Sequence, residues 1–419
     1  MKKAACILAF LLTSVLCIAA LFAAAFLPQS RIAGNVSRSL PGLVKEGTYP
    51  RLKEGYSSAM LDNLTDSLTL MEVLGMNAEN PGAAFSNPLY LQKEDPLESL
   101  VNYAENPGLE PDGYYVRYWM GFRASLRLLF LAFDYSQIRK LMFLILAGLA
   151  ALSMFSVAKN LNCASALGLG VCLLLMRPLI VARSFQFSTC FLIALAAMPL
   201  VPLIQKEKIG LGTFFLVLGM LTQYFDFYSV PALTLCLPLL YLLALRSASG
   251  ERGNFGTLAR AGASWLSGYV LFWLEKLLLS SLFSPIDGVE NGIGEFIYWM
   301  QRKPDAGENR LAAAFKNVWS TVCPDVWAAL VLLSLAALLA LYALWKIRRG
   351  KLAPKRLWNG PLLCALLIPL LWMAAAATPT AQHAFFQYRS LAAVFWGLCL
   401  LVTSAAEAPR LHWPSRAGK

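Results

Sequence analysis

Two carboxylates one helical turn apart are the first residues of this chain whose type and spacing suit chemistry. In the stretch Ser58-Ala59-Met60-Leu61-Asp62-Asn63-Leu64-Thr65-Asp66-Ser67-Leu68-Thr69-Leu70-Met71-Glu72, helical winding puts Leu61, Leu64, Leu68 and Met71 on one stripe and Asp62, Thr65, Asp66 and Thr69 on another. Asp62 and Asp66 then point the same way. They fall in the one long polar segment of an apolar chain, so they are expected to face water beside a bilayer. A carboxylate so placed takes the proton of an acceptor hydroxyl as general base. A divalent cation held between them would meet two carboxylates, fewer oxygen ligands than a dedicated site has, so the cofactor stays open between none and such a cation.

Other ionisable residues are expected to collect at the same end. Arg177 and Arg183 close the third span, and Asp226 tips the hairpin Tyr224-Phe225-Asp226-Phe227-Tyr228. Glu275 and Lys276 lie just inside the end of the seventh span, and His383 and Arg389 stand at the mouth of the last. Ionisable groups at membrane depth are costly and point to function by default. Guanidinium groups hold a phosphate by paired hydrogen bonds and offset the charge that grows on it as it leaves. Arg177, Arg183, Asp226, Lys276, His383 and Arg389 are therefore the candidate substrate-binding residues beside catalytic Asp62 or Asp66. Each also has a plain structural role open to it: Asp226 as a turn cap, the arginines as headgroup contacts, His383 as a hydrogen-bonding partner, and the two aspartates as the wet face of a helix. Glu275 and Lys276, being adjacent, point about 100° apart on a helix and do not simply neutralise each other.

The elements that must position these residues follow from composition. Of 419 residues, 58% are hydrophobic and 14% charged, against roughly 25% charged in a soluble domain. This predicts an all-α polytopic membrane protein. The net charge of +12 sits in short loops between apolar runs, which is a topology signal and excludes a nucleic-acid partner. Eight of the nine cysteines lie in apolar runs without metal or disulfide spacing and read as small membrane residues.

An anchor is expected over residues 1–27, its uncharged run being too long for a cleaved signal. A polar extracytoplasmic loop of amphipathic and interfacial helices should span 28–138, punctuated by Pro-Gly at 41, 81 and 107. Tyr114, Tyr115, Tyr118 and Trp119 read as a headgroup belt, and 123–137 as a stretch lying along the interface. A transmembrane bundle follows over 139–283, then a second extracytoplasmic loop over 284–325 and C-terminal spans over 326–419, about ten spans in all. With both termini cytoplasmic, Lys159, Lys206, Lys208, Arg246, Arg252, Arg260, Lys346, Arg348, Arg349, Lys351, Lys355, Arg356, Arg410, Arg416 and Lys419 fall inside.

Several stretches carry a resemblance. Tyr115-Val116-Arg117-Tyr118-Trp119-Met120-Gly121, Tyr135-Ser136-Gln137-Ile138-Arg139, Gln223-Tyr224-Phe225-Asp226-Phe227 and His383-Ala384-Phe385-Phe386-Gln387-Tyr388-Arg389 resemble those of a group of bacterial multispanning proteins, a likeness that brings no activity with it. The layout is also similar to that of the GT-C superfamily of membrane glycosyltransferases, which have one span, a long first outer loop with a catalytic acid, then many spans. The resemblance implies transfer of a sugar from a polyprenyl-phosphate donor to a surface glycan, lipid or protein acceptor at the outer leaflet of a bacterial plasma membrane, the acid falling on Asp62 or Asp66. This chain lacks the Asp-x-Asp pair common there, and Asp62 lies 35 positions beyond Leu27. A transporter or flippase of a lipid-linked saccharide, a polysaccharide polymerase or ligase, and a scaffold are the rivals.

Overall fold

The computed structural model describes residues 2–250, 254–302, 308–352 and 357–404, without the side chains of Lys2 and Lys3. Arg252, Lys303, Asp305, Lys355, Arg356, Arg410, Arg416 and Lys419 lie outside the described residues. The fold is all-α; one antiparallel pairing of Pro88 with Tyr114 and Leu89 with Gly113 is the sheet among the described residues.

A long apolar helix, α1 (Lys2–Ala25), leads into a cap of short helices: α2 (Gln29–Glu46), α3 (Asn63–Gly75), α4 (Ala83–Ser86), α5 (Pro96–Glu105) and α6 (Phe122–Leu129). Then come α7 (Tyr135–Asn160), α8 (Cys163–Leu175), α9 (Pro178–Val181), α10 (Phe185–Ala197), α11 (Val201–Gln205), α12 (Leu211–Phe225), α13 (Ala232–Ala248) and α14 (Phe255–Phe283). The chain closes with α15 (Gly288–Gln301), α16 (Arg310–Val322), α17 (Val326–Arg348), α18 (Gly360–Ala375), α19 (Ala377–Gln382), α20 (Ala384–Gln387) and α21 (Leu391–Thr403). Among the described residues, six helical runs are long and apolar enough to cross a membrane: Ala4–Ala25, Tyr135–Asn160, Phe185–Gln205, Phe255–Phe283, Val326–Arg348 and Ala384–Thr403. Asp or Asn starts many of these helices. Asp62, Asp95, Asp134, Asn162, Asp287, Asn309, Asp325 and Asn359 each accept a main-chain N–H of the first turn, which satisfies donors that have no partner inside the helix.

The cap has its own apolar core. Ile32, Val36 and Leu43 of α2, Leu70 and Val73 of α3, Leu100 of α5 and Leu126 of α6 pack together, and the core continues into Tyr135, Ile138, Phe185 and Phe227 at the ends of long helices. The joint is polar as well as apolar. Arg127 of α6 donates to Ala24 O (2.8 Å), Leu27 O (3.4 Å) and Val73 O, and so closes the C-terminal ends of both α1 and α3. Gly121 N donates to Tyr224 O at 2.8 Å. The tightest seam between long helices is α12 on α14, where a Cβ on Gly219 would stand 2.0 Å from Trp265 O and one on Gly268 2.1 Å from Leu216 O. Only glycine admits that approach.

Four expectations are overturned here. The stretch 123–137 is not one surface-lying run: α6 is wedged inside the cap, with Arg123 and Arg127 fully buried. Trp119 is no belt residue, since it stacks on Phe272 at 4.6 Å and donates Nε1–H to Phe272 O at 2.8 Å. Pro41-Gly42 does not break the chain but sits inside α2 on its exposed side. Nor do Asp62 and Asp66 face water, being 3% and 0% exposed. Three of these share a cause: the polar segment folds around its own core instead of spreading on a surface.

Candidate functional site

The two aspartates separate because one precedes the helix and the other belongs to it. Asp62 has non-helical backbone angles and turns back to accept Thr65 N (3.0 Å) and Thr65 Oγ1 (2.8 Å) as the N-cap of α3. Asp66, one turn further, points at the N-terminal ends of α7 and α10. Its Oδ1 accepts Phe185 N at 3.2 Å and Ser184 Oγ at 3.3 Å. Its Oδ2 accepts the Tyr135 hydroxyl and lies 3.8 Å from Arg139 Nη2. Burial pushes the Asp66 carboxyl up to about 7, against the pull of Arg139 and Tyr135. Burial also raises Asp62, with the two Thr65 hydrogen bonds working the other way.

Tyr135 and Arg139 have a second face, which lines a cleft of about 560 Å³. Spaced one turn apart on α7, they share a side of that helix. Arg139 is held by Glu46 at 2.7 and 2.9 Å and by Asn63 Oδ1 at 2.8 Å. Arg38, Lys140 and Arg183 line the polar part of the cleft together with the carboxylates of Glu46 and Asp134. Phe143, Leu144 and Leu179 form the apolar part, and Leu144 and Leu179 are 65% and 62% exposed along the bundle's side. The shape is a basic mouth over an apolar slot.

The remaining expected site residues go elsewhere. Arg177 donates Nε–H to Ser58 Oγ at 2.8 Å, and Arg389 donates to Ser58 O at 3.4 Å, so these two meet at Ser58 while Arg183 joins the cleft. Lys276 is fully buried and donates to Phe85 O of the cap, beside the Glu72–Arg123 pair at 3.2 Å. Burial pushes Glu72 up to about 7, with Arg123 and Lys276 pulling it down. Glu275 turns the other way and accepts Ser14 Oγ of α1. Asp226 accepts Ser229 N at 3.0 Å and Ser229 Oγ, which makes it the cap of its own turn. The His383 ring stacks on Phe386 at 5.3 Å. A divalent cation does not fit Asp62 and Asp66, because their oxygens serve different partners and, among the described residues, no group of three or more His, Cys, Asp or Glu comes together.

Sequence reasoning passed over Tyr135, Arg139, Lys140, Arg38 and Glu46. The signal was present: Asp134 and Gln137 form a capping box, which fixes where α7 begins and so puts Tyr135 and Arg139 on one face at the helix mouth. Neither a family model, a curated relative nor a solved structure matches the chain.

Proposed function

We propose that this protein crosses a bacterial plasma membrane ten times and transfers a sugar from a polyprenyl-phosphate donor to a cell-surface acceptor. In this reading, the six long runs together with the shorter apolar helices α8, α12, α13 and α18 would give the ten passes. Read with the cap outside, Lys159, Lys206, Lys208, Arg246, Arg260, Lys346, Arg348, Arg349 and Lys351 all fall at cytoplasmic ends.

One observation carries the reading: a carboxylate poised near neutral pH touches, through Tyr135 and Arg139, a cleft whose basic mouth suits a phosphate and whose apolar slot suits a prenyl chain. In this scheme Arg183 and Lys140 hold the donor phosphate. The acceptor oxygen attacks the anomeric carbon as the carbon–oxygen bond to phosphate breaks. The acceptor's proton passes to the Tyr135 oxygen, and Tyr135 gives its own proton to Asp66. Asp62 keeps the start of α3 in place. The flippase alternative leaned on Glu275 and Lys276, and both are engaged in ties to α1 and the cap.

The test is the surface glycan made by cells carrying Asp66→Asn, Tyr135→Phe or the double change Lys140→Ala with Arg183→Ala, at matched protein levels in the membrane. Loss of glycan in all three is the expected outcome. Unchanged glycan in the double variant and in Asp66→Asn would remove the reading.

A further inference from the structure

A second group of cations lies away from the cleft, on the opposite flank of the segment that leads into α3. Arg389 is fully buried. Its donors meet main-chain oxygens alone: Met176 O at 3.3 Å, Phe385 O at 3.2 Å and Ser58 O at 3.4 Å. Those distances are at or beyond the long end for N–H···O hydrogen bonds. Arg177 is half-buried, and among the described residues its side chain has one hydrogen bond, to Ser58 Oγ at 2.8 Å. Among the described residues neither arginine has a carboxylate within ion-pair distance. What faces them is aromatic: Tyr56 lies 4.9 Å from the Arg177 guanidinium, and Phe187 and Tyr388 lie 4.4 and 4.9 Å from that of Arg389. A ring face offers a cation far less than an anion does.

Two further features point to a missing ligand. The Tyr388 hydroxyl, in a residue only 2% exposed and within electrostatic range of both arginines, has no hydrogen-bond partner among the described residues. A buried hydroxyl left without a partner is costly to the fold. Arg177 also holds a left-handed backbone, φ 55°, a strain that persists where surrounding structure insists on it and that gathers at functional sites.

We propose that Ser58, Arg177, Tyr388 and Arg389 form an oxyanion site that takes a phosphate group. Both guanidiniums and the Tyr388 hydroxyl would donate to its oxygens, and the Ser58 hydroxyl, which accepts from Arg177, still has its own hydrogen to give. The half-buried Arg177 is the way in. The site is distinct from the cleft at Arg183 and does not depend on the transferase reading.

The experiment is thermal unfolding of the purified full chain in detergent, carrying Lys140→Ala and Arg183→Ala so that the cleft's mouth is stripped. Inorganic phosphate at about ten times its dissociation constant is expected to raise the midpoint by ~2 °C over chloride of equal ionic strength. Adding Arg177→Ala, or Tyr388→Phe where the hydroxyl alone is lost, should remove that rise. A phosphate effect that survives both changes, or none in the stripped chain, overturns the site. Repeating the comparison in nanodiscs tells the source: an Arg177-dependent rise on replacing phosphatidylcholine with phosphatidic acid assigns a lipid headgroup, and a rise only with free phosphate assigns a soluble one.

Discussion

Arg127 and Arg389 are equally hidden, yet they do different things with their donors. Arg127 meets the carbonyls of Ala24, Leu27 and Val73 and the side chain of Gln29, and so finishes two helices that would otherwise end on bare oxygens. Its neighbour Arg123 reaches Met120 O, Ala84 O and Asn87 Oδ1 and faces Glu72. Arg389 has longer hydrogen bonds and, among the described residues, no acid at ion-pair distance and a hydroxyl beside it without a partner. Burial of a charge is therefore a poor sign of function here. A better one is whether the charge has been answered by the protein itself.

The largest effects should come from the answered charges. Glu72→Ala would leave Arg123 and Lys276 buried together without an acid, and breaking such a pair costs about 3–5 kcal/mol. Arg127→Met, which keeps the length and removes the donors, should cost about 3 kcal/mol by uncovering carbonyls at two helix ends. Both are read as lost monodisperse yield and a lowered unfolding midpoint in detergent. If either variant is as stable as the parent, the contrast with Arg389 collapses.

Next in size is the seam that fixes the bundle beneath the cap. Gly268→Ala sets a methyl 2.1 Å from Leu216 O, and because the obstacle is main chain, α12 and α14 must part. Overpacking of this kind costs about 1–3 kcal/mol. The same change at Gly262, which has open space around it, should cost less than about 0.5 kcal/mol and serves as the control.

How much of this was legible in the sequence differs by region for physical reasons. Apolar runs long enough to span are written in composition, so the all-α reading and the positions of the long helices hold. The Asp and Asn caps are equally local, and Asp134 with Gln137 marks the start of α7 to the residue. Inference from polarity to exposure failed in the cap: Asp62, Asp66, Arg123 and Arg127 are buried, and most are met by a partner distant in sequence, such as Arg127 with Ala24 and Val73. Periodicity sees one helix at a time. It cannot show that Arg183 would line the cleft and Arg177 reach Ser58, two destinations for residues six positions apart.

Asp66 sharpens the comparison because it is buried like the staples but borders the cleft. Its carboxyl stands near 7 in the folded chain, above its ordinary value of 3.8. The protonated form is thus the one the fold favours. Its contribution to stability is full below about pH 4 and is lost as pH rises through about 7. Catalysis by the same group as a base runs the other way, rising through about pH 7. Unfolding midpoints and transfer rates measured from pH 5 to 8 should therefore slope in opposite directions, and Asp66→Asn should remove transfer and leave in stability only the slope that Glu72 supplies.

The smallest effect on stability is expected where the consequence for function is greatest. Arg183 is exposed, and neither it nor Lys140 has an ion pair among the described residues; both line the cleft's mouth. Removing such groups changes stability by less than about 0.5 kcal/mol each, because water already solvates what they would lose. A donor phosphate would feel the same change as a loss of charge-assisted hydrogen bonds, roughly 1.5–3 kcal/mol apiece, or about ten- to a hundredfold in binding. The double variant Lys140→Ala with Arg183→Ala should therefore unfold with the parent while its apparent affinity for a prenyl-phosphate lipid in detergent falls by at least tenfold. Equal affinity would mean that the cleft's cations merely keep a surface wet, as Arg127 merely keeps two helices closed.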